Sequence, residues 1–222
     1  MNTFRQRHPL LMKALPARAG SPFERARRGD DPFWNDNEDR LREGHADTAA
    51  LMQSARNLGG ELMERQLRRL WPDAKARDLA LARGLGVALW LTELLLNLRE
   101  DAARGLTLPP RDAMATFLVD EDQLREGRHD FALRRLAAHL AEQAAKVLQG
   151  SAPLGLSAPL TLRLRLRWTM LHAGFVLEAM RRDPNAPFIK PTLPPREALR
   201  LLWRTLFPRG RGMRGGGSGC AC

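Results

Sequence analysis

Hydrophobic residues recur along most of this chain with the period of an α-helix. The first clear repeat runs from Asp47 to Leu70, where leucine, alanine or methionine returns every three or four residues, and Trp71-Pro72 ends it. Gly59-Gly60 lies inside this repeat. Because glycine costs stability in a helix, we expect another helix to approach closely at that point.

The next segment is almost entirely apolar. Between Leu79 and Leu98 the strongly polar residues are only Arg83, Glu93 and Asn97. A helix so apolar is predicted to be nearly surrounded by other helices, with Asp73 as its N-cap and its end near Arg104. Its length would also suit a membrane span, but its internal polar residues and the helical segments on both sides favour a helix buried within the protein.

Two further helices are predicted after a proline-rich turn. Pro109-Pro110 begins a short helix that continues through Phe117, and Asp120 with Gln123 forms a capping pair for a longer helix to about Gln149. The inner face of the longer helix is predicted to hold Leu133, Leu136, Leu140, Ala144 and Val147. The segment SAPLGLSAP that follows is predicted to be a loop.

The run LTLRLRLRW, which begins at Leu160, alternates apolar and basic residues as a strand does. We predict a helix instead, because an apolar stripe continues at helical spacing to Arg182 and no second strand exists to pair with it. The stripe expected to face inward is Leu160, Leu164, Trp168, Leu171 and Phe175. A last helix, from Arg196 to Phe207, is expected to turn inward Leu199, Leu202 and Leu206. The predicted fold class is therefore all-α, a helical bundle.

The two ends of the chain differ from this helical domain, which we place at residues 46–207. Prolines and glycines interrupt residues 1–45, which are predicted to be irregular, while glycine and arginine make residues 208–222 a predicted flexible tail. The acidic run DDPFWNDNED, at residues 30–39, suggests either a metal motif or solvated turns. Pro32 breaks any helix that would align its carboxylates, which favours turns.

Composition narrows the class further. A length of 222 residues with 44% hydrophobic content supports one domain with a substantial core. The formal net charge of +11 comes almost wholly from arginine, and a basic surface attracts phosphates, nucleic acids or anionic lipid heads. The arginines are spread through the helices and no nucleic-acid motif is present, so no nucleic-acid partner is predicted.

Cysteine usage and the N-terminus indicate the compartment. Cys220 and Cys222 follow a glycine-rich stretch, and two thiols supply neither a disulfide framework nor a closed structural zinc site. The first twenty residues lack the sustained apolar core of a signal peptide. We therefore expect a cytoplasmic protein, with a peripheral membrane contact left open.

The candidate chemistry lies on the apolar central helix. Glu93, Asn97 and Asp101 recur every four residues and Arg104 follows three later, so they form one stripe with Glu100 beside it. Carboxylates on a buried helix need compensation. One interpretation is an ion pair or a water-filled groove within the bundle; the other is a divalent cation held by hard oxygen ligands.

Other chemistry-bearing residues are less specific. The five histidines show no ligand spacing, and each is expected to be a surface or partly packed residue. Arg163, Arg165 and Arg167 would match diphosphate oxygens if their helix lined a cavity, whereas the alternative interpretation is a solvated basic face.

The segment LGVALWLTELLLNLREDAARGLTLPPRDAM resembles the second aspartate-rich motif of the squalene and phytoene synthases. It follows the family pattern without a gap at Gly86, Ala88, Leu89, Leu91, Thr92, Glu100, Asp101, Arg104, Gly105, Pro110 and Arg111. It departs from the pattern at Trp90, Glu93, Leu96, Asn97 and Leu108, and the chain contains no tyrosine.

The resemblance implies an isoprenoid synthase fold, an all-helical bundle whose acidic helices hold Mg²⁺ against the diphosphate of a prenyl substrate. Asp101 and Glu100 would then be metal ligands, and Asn97 a weaker neutral one. Glu93 would restore the lost carboxylate one turn earlier. Arg104 and Arg111 would contact the diphosphate, and the reaction would be head-to-head prenyl transfer in squalene or carotenoid biosynthesis.

The resemblance covers about residues 46–207, the C-terminal two thirds of a family member. The family's first aspartate-rich motif has no counterpart in residues 1–45. Two explanations remain open at this stage. Either the start of the chain is truncated, or the protein is an inactive family member that serves as a binding or assembly protein. A third interpretation is an unrelated helical module that binds a protein partner through its basic surface.

Overall fold

The computed structural model describes residues 9–16, 21–28, 44–127, 130–183 and 191–207. The described helices are, in chain order, α1 Pro9–Ala14, α2 Pro22–Arg28, α3 Thr48–Ala55, α4 Glu61–Leu70, α5 Ala76–Leu96, α6 Leu98–Ala102, α7 Arg111–Phe117, α8 Glu121–Glu126, α9 Phe131–Gly150, α10 Leu154–Ser157, α11 Leu160–Arg182 and α12 Pro195–Leu206. No strand forms within these ranges, whose one isolated bridge joins His45 and Pro110. The prediction of an all-α bundle is confirmed.

Helix α5 is the centre of the bundle, packing against α4 and α9 and also contacting α1, α3 and α11. By length and apolarity α5 would suit a membrane span, but most of its apolar stretch is buried against these neighbours. The predicted cap was wrong, because α5 begins at Ala76. Its first turn is closed by Asp78, whose Oδ2 accepts the Lys75 N–H at 3.2 Å, rather than by Asp73.

The predicted close approach at Gly59-Gly60 is confirmed. A π-helical turn, Arg56–Gly60, joins α3 to α4, and this turn crosses α5 at Gly86. A Cβ atom built on Gly59 would lie 2.3 Å from the carbonyl oxygen of Gly86, and one on Gly86 would lie 2.1 Å from that of Gly59. Only glycine at both positions lets the two backbones meet.

The longer helix predicted after Asp120 is two helices. Asp120 and Gln123 form the expected reciprocal cap, at 2.6 and 2.7 Å, but α8 ends at Gly127, where φ is 68°. A second cap then starts α9, since Asp130 Oδ1 accepts the Leu133 N–H at 2.8 Å. The predicted inner face of α9 is buried apart from Val147, which is half-buried. The expected loop at 151–159 contains the short α10.

Helix α11 forms over the residues expected, but a different face of it is buried. The buried side chains are Leu162, Leu166, Thr169, Ala173, Val176, Leu177 and Met180. The predicted stripe is half-buried from Leu164 onward, and Leu160 is exposed. Leucine lies on several sides of this helix, and its arginines extend along the surface to reach backbone carbonyls, so the sequence period alone did not identify the inner face.

Helix α12 is also turned away from its predicted orientation. Leu201 and Thr205 are buried, whereas the three leucines expected to face inward are exposed: Leu199, Leu202 and Leu206.

The prediction of an irregular N-terminal segment misses α1 and α2. Both helices have proline at their first residue, Pro9 and Pro22, where the missing N–H and the fixed φ favour helix initiation. Leu11, Leu15 and Phe23 are fully buried in the bundle core, so tertiary packing stabilises these short helices. The acidic run at 30–39 and the tail at 208–222, with its two cysteines, lie outside the described residues.

Candidate functional site

The predicted acidic stripe is a buried row that crosses the junction between α5 and α6. The Asn97 N–H donates to the Glu93 carbonyl at 3.0 Å, and the Asp101 N–H donates to the Asn97 carbonyl at 2.8 Å. These i to i+4 bonds keep the three residues on one face although Asn97, with a φ of −108°, separates α5 from α6. Their exposed fractions are 0% for Glu93, 9% for Asn97 and 2% for Asp101, while Glu100 is half-buried.

The Glu93 carboxylate caps the first turn of α1. Its Oε1 accepts the backbone N–H of Leu10 at 2.5 Å and that of Leu11 at 3.0 Å. The first N–H groups of a helix have no acceptor within that helix, and its N-terminal dipole favours an anion. The buried carboxyl group of Glu93 therefore has hydrogen-bond donors from the protein's own backbone.

Other side chains fix the segment around α1 to the same part of the bundle. Arg165 Nε donates to the Lys13 carbonyl at 2.7 Å. Gln66 Nε2 donates to the Pro16 carbonyl at 2.5 Å, and its Oε1 accepts the Phe23 N–H at 3.3 Å. The contacts from α4, α5 and α11 hold the N-terminal segment against the acidic row.

Asp101 lies at the other end of the row, where the chain leaves the helices. Its Oδ1 lies 3.7 Å from Arg104 Nη1, and the Arg104 side chain is 40% exposed. Gly105 then adopts a φ of 77° and turns the chain, so that the Leu106 N–H donates to the Asp101 carbonyl at 2.9 Å. This end of the row combines a buried carboxylate with a solvent-accessible guanidinium.

His45 packs against Trp90 of α5, and the sequence did not identify this contact. Instead of being a surface or partly packed residue it is buried, with its Nδ1 atom 2.7 Å from the Leu108 carbonyl. Its ring meets the Trp90 ring edge-on, with 6.4 Å between the centroids. Burial lowers the pKa of His45, and the hydrogen bond to Leu108 opposes this only in part, so the neutral imidazole is favoured.

The remaining sequence candidates do not converge on the row. Arg111 is exposed, and its backbone N–H donates to the His45 carbonyl at 3.0 Å. The three arginines of α11 donate to backbone carbonyls in three different segments: Arg163 to Ala158, Arg165 to Lys13 and Arg167 to Arg204. Arg165 is exposed and Arg163 and Arg167 are half-buried, so this arrangement is closer to the solvated basic face than to a diphosphate site.

Mg²⁺ takes an octahedral shell of oxygens, usually one or two carboxylates plus water and substrate phosphate. Within the described parts of the chain, no group of three or more His, Cys, Asp or Glu side chains is arranged to hold a metal ion. Glu93 already binds two amides and Asp101 faces Arg104. The assignment of Glu93, Asn97, Glu100 and Asp101 as metal ligands stays a prediction, and the described geometry does not assemble them into a metal centre.

Over the described residues the protein is an all-helical bundle with a buried acidic row on its central helices. The squalene/phytoene synthase family matches residues 30–205. The chain belongs to this family. No curated protein sequence shows a significant match.

Solved structures agree on the fold. The chain is similar to squalene synthase HpnC from Alicyclobacillus acidocaldarius, with 20% identity and a TM-score of 0.63 over 75% of this chain and 61% of that one. It is also similar to a dehydrosqualene synthase solved in complex with a ligand, with 20% identity and a TM-score of 0.69 over 91% of this chain and 76% of that one. The chain thus spans about three fifths of the length of the first and three quarters of the second.

Proposed function

We propose that this chain is a non-catalytic member of the squalene/phytoene synthase family, which uses the family's helical bundle as a binding or assembly protein rather than to join two prenyl diphosphates. The observation that carries the proposal is the pair of hydrogen bonds from the Leu10 and Leu11 amides to the Glu93 carboxylate. In this chain a backbone segment occupies the Glu93 carboxylate, which the resemblance would use to restore the lost carboxylate ligand.

Opening that position would be costly. A ligand at Glu93 must displace α1, which exposes the buried Leu10, Leu11 and Leu15 to water. Exposure of a buried leucine costs roughly 1.5–3 kcal/mol. The two amides would also lose their charge-assisted hydrogen bonds. Binding of a metal–diphosphate complex at this end of the row would have to offset all of these terms.

The departures from the family pattern support the same conclusion. Trp90 stands where the pattern has glutamine, and it is buried against His45. Leu108 stands where the pattern has tyrosine, and its side chain is also buried. Both departures replace a polar residue of the pattern with a buried apolar one, which suits a packed core better than the lining of a polar site.

A second candidate function is magnesium-dependent binding of a prenyl diphosphate at the Asp101 end of the row. The observation in its favour is that Asp101 is buried beside an exposed Arg104, within one helical turn of Asn97 and next to Glu100. One or two carboxylates suffice for Mg²⁺ when phosphate and water complete the shell, and Arg104 would supply a diphosphate contact.

One set of measurements tests both candidates. A panel of prenyl diphosphates is titrated into the full chain by calorimetry with and without Mg²⁺, and the mixtures are assayed for condensed product. We expect no product. Binding that requires Mg²⁺ and is lost in Asp101→Asn would favour the second candidate, while no magnesium-dependent binding favours a structural acidic row. Robust product formation would refute the main proposal.

A further inference from the structure

Helix α12 carries an apolar stripe on its outer side, which we call the α12 stripe. Its members and their exposed fractions are Leu199 68%, Leu202 47%, Trp203 63%, Leu206 48% and Phe207 56%. Trp203 and Phe207 stack on each other, with 4.4 Å between their ring centroids. Isolated exposed apolar residues are common on protein surfaces, but a continuous stripe with two aromatic rings marks a contact surface.

The orientation of α12 is fixed by the bundle. Leu201 and Thr205 are buried, and Arg167 of α11 donates a hydrogen bond to the Arg204 carbonyl. Residues 208–222, which follow the stripe in sequence, are mostly glycine and arginine, with Met213 as their one large apolar residue. That composition has too little apolar surface to cover the stripe.

Arginines border the stripe along one side. Arg196, Arg200 and Arg204 recur every four residues, so they lie in a row on the helix surface. Arg200 and Arg204 also line a groove of about 510 Å³ together with Arg167 and the exposed Leu156, and the described lining of this groove contains no carboxylate. Beside the groove, the Glu197 carboxylate forms an ion pair with Arg200 at 3.6 Å. Three guanidinium groups in one groove favour an anion.

We propose that the α12 stripe and its arginine row dock the protein onto an anionic lipid bilayer. A helix with leucine and aromatic residues on one side and arginines beside them matches the interfacial helix that lies in the plane of a membrane. Tryptophan is enriched at the headgroup level, and arginines bind lipid phosphates. Charge favours a lipid surface over a second copy of the chain. The chain carries a net charge of +11, so two copies would bring like-charged arginine rows together, whereas an anionic surface is complementary.

The proposal does not depend on whether the acidic row is catalytic. Its test is co-sedimentation of the full chain with vesicles of phosphatidylcholine alone and of phosphatidylcholine with phosphatidylglycerol. We expect binding only to the anionic vesicles, weakening as salt is raised. The double variant Trp203→Glu/Leu206→Glu is expected to lower the partition coefficient at least about tenfold, and Arg200→Gln/Arg204→Gln about fivefold for each arginine.

Matched controls separate the surface from general effects. Phe131→Glu removes an equally exposed aromatic residue at the far end of α9, and Arg68→Gln/Arg125→Gln removes the same charge elsewhere; both should bind like the original chain, apart from a small loss from reduced charge. Because introducing glutamate can change folding as well as binding, Trp203→Phe supplies a second measurement. Brominated lipids should quench the tryptophan emission of the original chain, and most of that quenching should disappear in Trp203→Phe.

Three results would overturn the proposal. Equal binding to neutral and anionic vesicles would remove the role of the arginines. Unchanged anionic binding in the Trp203→Glu/Leu206→Glu variant would remove the role of the stripe. A concentration-dependent dimer that is lost in Leu206→Glu, without any vesicle binding, would show that a second copy covers the stripe.

Discussion

Helix α5 buries polar side chains, whereas α12 exposes apolar ones, and the two helices differ in what satisfies those groups. On α5 the compensation is internal, because the Glu93 carboxylate binds the Leu10 and Leu11 amides. On α12 the apolar stripe is left on the surface by the described bundle. A buried polar side chain that is hydrogen-bonded within the chain indicates a structural role, and a stripe of apolar side chains left exposed to solvent indicates a binding partner. The Glu93 end of the acidic row therefore fits a structural role and α12 an external one.

The largest expected effect is a contrast between two tryptophans. Trp90 belongs to α5 and is almost completely buried in the core, whereas Trp203 lies on the α12 stripe. Trp90→Ala should lower the free energy of unfolding by about 3–5 kcal/mol, because it leaves a large cavity. Trp203→Ala should change it by less than about 1 kcal/mol, since mainly the contact with Phe207 is lost. Urea denaturation measures both, and equal losses would contradict the proposed difference between the helices.

The next effect concerns the cap of α1. Glu93→Ala leaves two buried amides without their acceptor and should lower the free energy of unfolding by about 2–4 kcal/mol. Glu93→Gln keeps one acceptor oxygen and should cost less. The matched control is Glu142→Ala, which removes an exposed glutamate paired with Lys146 and should change stability by less than about 1 kcal/mol. If Glu93→Ala proves as mild as Glu142→Ala, the cap does not hold α1 in place.

A smaller effect separates the predicted cap of α5 from the observed one. Asp78 is buried, accepts the Lys75 N–H and also accepts the Ser157 hydroxyl at 2.7 Å. Asp78→Ala should cost about 1–2 kcal/mol. Asp73, which precedes the helix and is exposed, should be replaceable by alanine within about 0.5 kcal/mol. Thermal unfolding of the two variants distinguishes them, and the reverse order would restore Asp73 as the cap.

These contrasts show which parts of the fold could be predicted from the sequence. Helices with a long apolar period were recovered because periodicity reports local structure. The close approach of another helix at Gly59-Gly60 was predicted because glycine inside a helix costs stability, whereas its partner Gly86 was not. The family and the fold were reached through the motif around Asp101, whose residues follow the pattern without a gap.

The parts that were missed depend on contacts between segments far apart in sequence. The faces of α11 and α12 were wrong because leucine occurs on more than one side of each helix, and only packing decides which side is buried. The hydrogen bonds between α1 and Glu93 join residues more than eighty positions apart in sequence. No local pattern identifies such a contact, and the same is true of His45 beside Leu108.

The smallest expected effect is the pH dependence contributed by His45. The pKa of His45 is lowered from its ordinary value of 6.5 by burial, so the unfolded chain binds a proton at a higher pH than the folded chain. The stability contributed by the neutral ring is therefore complete above about pH 6.5 and is lost as the pH falls through that value toward the folded pKa.

The pKa of His172 is also lowered, by burial and then by the nearby charge of Lys13, so two histidines contribute to this pH dependence. The measurement is the free energy of unfolding in urea at a series of pH values from 8 to 5, for the original chain, His45→Gln and His172→Gln. In each variant the free energy of unfolding should fall less steeply toward low pH than in the original chain. If His45→Gln retains the full decline, the histidine beside Trp90 and Leu108 is not held neutral by its burial, and the packing argument around the acidic row loses one of its supports.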